Sequence, residues 1–318
     1  MNLDELAKRL SDTTRIGMTA ELAEKLRMKP EDVVRGQLMA ISDGEKGPLG
    51  VYLLALYVVD DTDVFGDGEI YWWSVAALVD KQGSASWSPV SGLPAGAPPH
   101  KCGSLEWMTN FSLKDPPLLA VIPADDETAA CVVRLAVYDD DKKPANVGVA
   151  LAAGYAALAD CKREGLPYPA QIITPVADAI FKSLDAREDD VLIDEDITIR
   201  KGGPLRFNAG FIGTVVTAKA HAYYVVKDER TTEVAGPVVL RKGEVSRLAF
   251  ASDIESGGRV SIFARGGDVE CPLFGTLTTD RPFAGKVLDA ALARSLQGGF
   301  DVTGRGAAKI VAFYTPPG

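Results

Sequence analysis

From Pro48 to Thr315 the chain is largely a succession of runs rich in valine, isoleucine, tyrosine and tryptophan, closed by glycine, aspartate or proline turns. β-Branched and aromatic side chains fit the pleated surface of a sheet, so a chain written this way is confined to β-rich architectures. "GVYLLALYVVD" and "EIYWWSVAALVD" begin the series, and "LEWMTNFSL", "PLLAVIPAD" and "AACVVRLAVYDDD" extend it. After residue 190 come "VLIDEDITIR", "LRFNAGFIGTVVTAKAHAYYVV", "EVAGPVVLRKG", "EVSRLAFA", "RVSIFARGG", "CPLFGTLT" and "AAKIVAFYT". Turn sequences such as "KGGP", "SGGR" and "RGGD" punctuate them.

Helical spacing is confined to three places. Residues 1–45 carry leucine, alanine and methionine at i, i+3, i+4, with Thr19 as an N-cap and Pro30 opening a further helix. An insertion over residues 146–185 holds two helices, Asn146 to Arg163 closed by Gly165, and about Ala170 to Leu184. "GKVLDAALARSLQ" is a late amphipathic helix, and the Pro-, Gly- and Ser-rich residues 83–104 are expected to form a long loop. The expected fold is α+β and β-rich: an antiparallel β-sandwich over residues 46–230 interrupted by the helical insertion. A C-terminal β-rich region with one helix, residues 231–318, follows.

The chain of 318 residues is 47% hydrophobic and 25% charged, enough to bury a substantial core, and its formal net charge is -10. An acidic surface repels phosphate backbones, which argues against general nucleic-acid binding. The N-terminus has no basic region leading into an apolar one, and no apolar run reaches the roughly 18 to 20 residues of a membrane span. Four scattered cysteines without a C-x-x-C pair fit reduced thiols and give no zinc signature. The chain therefore reads as soluble and cytoplasmic.

Two acidic loops carry the chemistry. "VVDDTDVFGDGEIYWW", residues 58–73, supplies Asp60, Asp61, Asp63, Asp67 and Glu69 between two strand runs. Converging carboxylates on strand ends are a natural source of the oxygen ligands that calcium takes. Taken as an EF-hand from Asp61, the stretch fails at Phe65 and at Trp72, where a bidentate glutamate belongs. The second loop, "VYDDDK", places Asp139, Asp140 and Asp141 after an apolar strand. Together the two loops resemble the strand ends of a C2 domain, a β-sandwich family that often binds calcium and anionic phospholipid. The resemblance implies Asp61, Asp67, Asp139 and Asp141 as metal ligands, calcium as the cofactor, and an anionic lipid surface or a protein as partner. The further acidic residue usual in that family falls, after the helical insertion, at Asp189 or Asp190, without its accompanying glycine.

Aspartate-rich loops between strands are ordinarily solvated turns, and Lys142 and Lys143 offer counter-charge without a metal. The two readings separate on whether both loops share one edge of the sandwich. Asp194, Glu195 and Asp196 are expected at an exposed turn or strand edge.

Other constellations are weaker. A hydrolase would need Cys102 with a remote histidine, His100 and His221 being the two available, or a metal in the acidic loops. Lys101 beside Cys102 could favour a thiolate. "ELAEKLRMKPEDVVRGQL" has a helix-turn-helix pattern with Pro30 to Leu38 in the reading position, but Arg35 is its one basic residue there, beside Glu31 and Asp32. Tyr71, Trp72 and Trp73 cannot all share one strand face; core packing is the default, and exposure of either tryptophan would mark a binding surface. The function expected is a non-enzymatic binding or assembly module, with a homo-oligomer compatible with the docking of its helical segments.

Overall fold

The computed structural model of the chain describes residues 48–61, 67–80, 85–92, 100–108, 112–122, 127–139, 191–200 and 209–317, with six single positions between 156 and 182. Those six, Ala156, Ala157, Pro175, Asp178, Ala179 and Lys182, are all helical. The N-terminal helical segment and its helix-turn-helix pattern lie outside the described residues, as does Asp141.

Strands β1 (Leu49–Val58), β2 (Gly68–Asp80), β3 (Ala85–Gly92), β4 (His100–Cys102) and β5 (Glu106–Trp107) come first. They are followed by β6 (Leu118–Ile122), β7 (Thr128–Asp139), β8 (Val191–Arg200), β9 (Phe211–Val216) and β10 (Ala220–Asp228). Sheet I has the order β3-β2-β7-β8 with β4 also on β2, and sheet II the order β5-β1-β10-β9 with β6 also on β1. Every pairing is antiparallel.

The remaining chain forms β11 (Glu233–Leu240), β12 (Val245–Leu248), β13 (Arg259–Gly266), β14 (Val269–Cys271), β15 (Gly275–Leu277), β16 (Phe283–Val287), helix α1 (Ala290–Leu296), β17 (Phe300–Gly304) and β18 (Ala308–Thr315). Sheet III has the order β11-β18-β13-β16 and sheet IV the order β12-β17-β14-β15.

Three cores hold these sheets in a stack. The first lies between sheets I and II, with Leu53, Leu56, Trp72, Leu135 and Ile193 among its members. The third pair of faces, III against IV, buries Ile262, Val302, Ile310 and Leu296 of α1. Between the two sandwiches, Tyr52, Leu54 and Tyr223 of sheet II pack on Phe263, Val311 and Phe313 of sheet III. Sheet II is therefore covered on both faces. That explains the unbroken apolar run of β1: a strand buried on both sides has no polar face to alternate with. A bulge between Leu53 and Ala55 shifts the alternation there, so Leu54 and Ala55 both face sheet III while Leu53 and Leu56 face sheet I.

Tyr71, Trp72 and Trp73 are all buried, because the far side of sheet I is covered too, with helical Ala157 packed against the same core. Packing, not display, is the role of these aromatics. On the edge strand β8, Asp194 receives two hydrogen bonds from the Arg134 guanidinium, at 2.6 and 2.7 Å, and Asp196 a third at 3.2 Å. Burial opposes the charge on Arg134, but these carboxylates outweigh it and raise its pKa.

Two expectations need correction. Residues 83–104 are not a continuous loop: β3 and β4 both pair with β2. Pro89 is tolerated because β3 is an edge strand and the proline falls at a bulge opposite Val75, where no ladder donor is required. The late helix also begins later than its amphipathic pattern. Gly285 to Val287 pair with β13 as strand, and Asp289 caps α1 by accepting from Ala291 and Leu292 N–H.

Candidate functional site: an acidic edge of the first sandwich

Asp61 and Asp67, at the two ends of the first acidic stretch, and Asp139, at the start of the second, lie at one edge of the sandwich made by sheets I and II. Asp139 is the last residue of β7, paired with Ile70 of β2, and its side chain points inward on the same face as Ile70 and Val137. It is only 3% exposed. Gly68, two residues before Ile70, lies on that same face, and a β-carbon there would overlap the Asp139 carboxylate. The absent side chain of Gly68 makes the room that the carboxylate fills.

Asp61 comes from sheet II, three residues beyond the end of β1, and is 4% exposed. The Ser104 hydroxyl donates to Asp61 Oδ1 at 2.8 Å and accepts from the Asp61 N–H at 3.1 Å. Ser104 belongs to the turn between β4, paired with β2, and β5, paired with β1. This turn thus bridges the edges of both sheets and brings in Glu106, whose carboxylate accepts from the Gly103 N–H at 3.2 Å. Asp67 is exposed, and its Oδ1 lies 3.3 Å from where a Gly103 β-carbon would stand, with Glu106 Oε2 3.6 Å away from the same point.

Cys102, opposite Gly68 in the β2–β4 pair, reports the field of this cluster. Burial first, then the carboxylates of Glu106, Asp61, Asp67 and Asp139, push its thiol up to about 12. A nucleophilic thiolate favoured by Lys101 is thereby overturned. The Lys101 ammonium is exposed and pairs instead with Glu69 at 3.7 Å. Burial lowers the pKa of His100, which shares the strand face of Cys102, so it stands as a neutral imidazole near neutral pH. His221 is also lowered by burial, and its ring packs 5.9 Å from that of Tyr57.

The structure therefore places Asp61, Asp67 and Asp139 at one edge and adds Ser104 and Glu106, which no acidic run in the sequence marked. Their only signal was a "CGSLE" turn whose position depends on two remote pairings. Among the described residues, no three acidic, histidine or cysteine groups converge closely enough to hold a metal ion by themselves. Also among the described residues, no helix is long and apolar enough to cross a membrane, which says nothing of β-barrels.

Neither the family models nor the curated proteins contain a match to this chain. Among solved structures, it is similar to human GIVD cytosolic phospholipase A2, solved in complex with methyl gamma-linolenyl fluorophosphonate inhibitor and terbium chloride. Identity is 8% and the TM-score 0.26 over 86% of this chain; the chain spans 32% of that protein's length. At that level the likeness carries no functional argument.

The tip of the bridging turn has one more unusual feature. Leu105 has φ of 61°, in the left-handed region, and is 67% exposed. A leucine there costs about 1–2 kcal/mol relative to a right-handed conformation. An apolar side chain is thus held in water, beside the acidic cluster, at an energetic cost.

Proposed function

We propose that the chain is a non-enzymatic, C2-like binding module of the cytoplasm whose acidic edge takes calcium and docks on an anionic lipid surface. The observation that carries this reading is the placement of Asp61, Asp67 and Asp139, at strand ends of two different sheets, at one edge with Glu106. Asp61 and Asp139 are buried while Asp67 and Glu106 are exposed; like charges repel, and a divalent cation neutralises several carboxylates at once. Calcium takes six to eight oxygens at about 2.3–2.6 Å, and the resemblance to a C2 domain names Asp141 as a further ligand. Leu105, at the tip of the turn that holds Ser104 and Glu106, supplies an apolar contact for the lipid surface. The buried free thiols of Cys102, Cys131 and Cys271 fit a reducing compartment.

The test is thermal unfolding with and without calcium, followed by sedimentation with phosphatidylserine vesicles. Calcium binding only the folded state raises the melting temperature by mass action, by about 2.7 kcal/mol of stability at one hundred times its dissociation constant. Leu105→Ser should weaken vesicle binding and leave the calcium shift intact. An unchanged melting temperature at millimolar calcium sinks the reading. A calcium shift without vesicle binding redirects it to a protein partner.

A further inference from the structure

The face of sheet II that turns towards sheet III ends in a row of rings. Trp107 of β5 pairs with Tyr57 of β1, Tyr57 with His221 of β10, and His221 with Val216 of β9. Directly paired residues share a sheet face, and Tyr57 and Trp107 pack on the core between the two sandwiches, so all four side chains stand on that face. The Tyr57 ring centroid lies 5.0 Å from that of Trp107 and 5.9 Å from that of His221. One row further in, Ala55 and Tyr223 are buried, with Tyr223 5.5 Å from Trp107. In the last row Trp107, Tyr57 and His221 are only partly buried, and Val216 is 59% exposed. The row is an aromatic platform at the seam, where the cover given by sheet III runs out.

The second sandwich brings one charge to this platform. A turn closed by hydrogen bonds between the Thr278 and Arg281 backbones leads into β16, whose Phe283 ring lies 6.3 Å from Tyr223. Asp280 stands exposed in that turn, and its negative charge acts on Tyr57, Tyr223 and His221. Among the described residues, no cation does so. Buried Arg265, on the facing strand β13, donates to the Met108 carbonyl at 3.3 Å. Asp280 itself has no hydrogen bond or ion pair with a described residue. His221 adds a ring and no charge near neutral pH, because burial lowers its pKa more than Asp280 raises it.

Aromatic faces carry negative partial charge, and a free carboxylate beside three such rings favours a cation that sheds water easily. A primary ammonium is strongly hydrated and has three donors to satisfy. A quaternary ammonium has none, and its methyl groups can cover the ring faces and Val216. We propose that the platform of Trp107, Tyr57 and His221, faced by Asp280, binds the quaternary ammonium group of a small free solute. Glu106 and Trp107 alternate across β5, so this site and the acidic edge use different side chains, and binding needs no calcium.

Calorimetric titration of the full chain with choline chloride, in a calcium chelator and at constant ionic strength, tests this. One choline per chain is expected. Dimethylbutanol, the uncharged carbon isostere of choline, should bind about tenfold more weakly. Asp280→Asn, at an exposed turn outside the core, should weaken choline by about the same factor and leave the melting temperature unchanged. Tyr57→Phe, which keeps the ring, should bind as the native chain does, whereas Tyr57→Leu should bind more weakly. Asp61→Asn should leave binding intact. No binding, equal affinity for the uncharged isostere, or native affinity in Asp280→Asn overturns the proposal. Co-sedimentation with phosphatidylcholine vesicles that choline competes away would overturn the assignment to a free solute and give the site to a lipid headgroup.

Discussion

The carboxylate of Asp139 occupies the space that a β-carbon on Gly68 would need. One residue ends β7 and the other begins β2, and their contact places a buried carboxylate beside Cys102 at the edge of the first sandwich. Gly68→Ala should therefore displace Asp139 while keeping the β2 backbone. The expected outcome is a folded protein, by circular dichroism, whose melting temperature no longer responds to calcium. A full calcium response in this variant would show that Asp139 is no ligand.

Cys102 gives a pH signature. Its folded value of about 12 stands above the ordinary 9.0, so the unfolded chain loses the proton first. The stability contributed by the buried neutral thiol is present below about pH 9 and is lost as pH rises towards about 12. Cys131, fully enclosed, is raised to about 12 by burial and adds to the same alkaline loss. Denaturant unfolding at increasing alkaline pH should show a falling midpoint, with a shallower fall in Cys102→Ala. Alkylation of Cys102 at neutral pH should be slower than that of an exposed thiol.

The layer between the sandwiches makes a third prediction. Phe313 is fully buried between sheets II and III, against the same cluster as Tyr52, Leu54 and Tyr223. Phe313→Ala should cost about 3–5 kcal/mol, read as a drop in the denaturation midpoint. If the layer is the coupling element, unfolding should also separate into two transitions, because each sandwich keeps its own core.

The cap of α1 is local and correspondingly modest. Asp289 accepts from the Ala291 and Leu292 N–H groups at 2.9 and 2.8 Å. Asp289→Ala should cost about 1 kcal/mol, and Asp289→Asn much less, by the same measurement.

Strand character was legible because it is local: valine, isoleucine and aromatic residues in short runs closed by glycine and aspartate favour β structure wherever they sit. The β-rich, antiparallel sandwich architecture followed from that. Residues 83–104 misled because Pro89, Ser and Gly are equally local signals of a loop, while the β2 edge that recruits β3 is remote from them. The helix pattern of residues 285–297 overran for a related reason. Amphipathic spacing marks a face, but pairing with β13 kept residues 285–287 as strand and Asp289 set the helix start. The continuous apolar run of β1 did carry a readable sign that both its faces are covered.

By itself, the amino-acid sequence determined most of the strands and turns and marked the two acidic stretches, but not β3, β4 or the end of β16, since each of these signals depends on residues within a few positions of one another. Only the tertiary structure decided that Asp61 and Asp139 share an edge, that the "CGSLE" turn adds Ser104 and Glu106, and that β9 and β16 flank a cleft. These relations rest on the pairing of β1 with β10, β2 with β7 and β13 with β16, and on two sandwiches packing face to face. Such pairings are chosen by the total burial of remote apolar faces, a property of the whole chain that no short stretch of it contains.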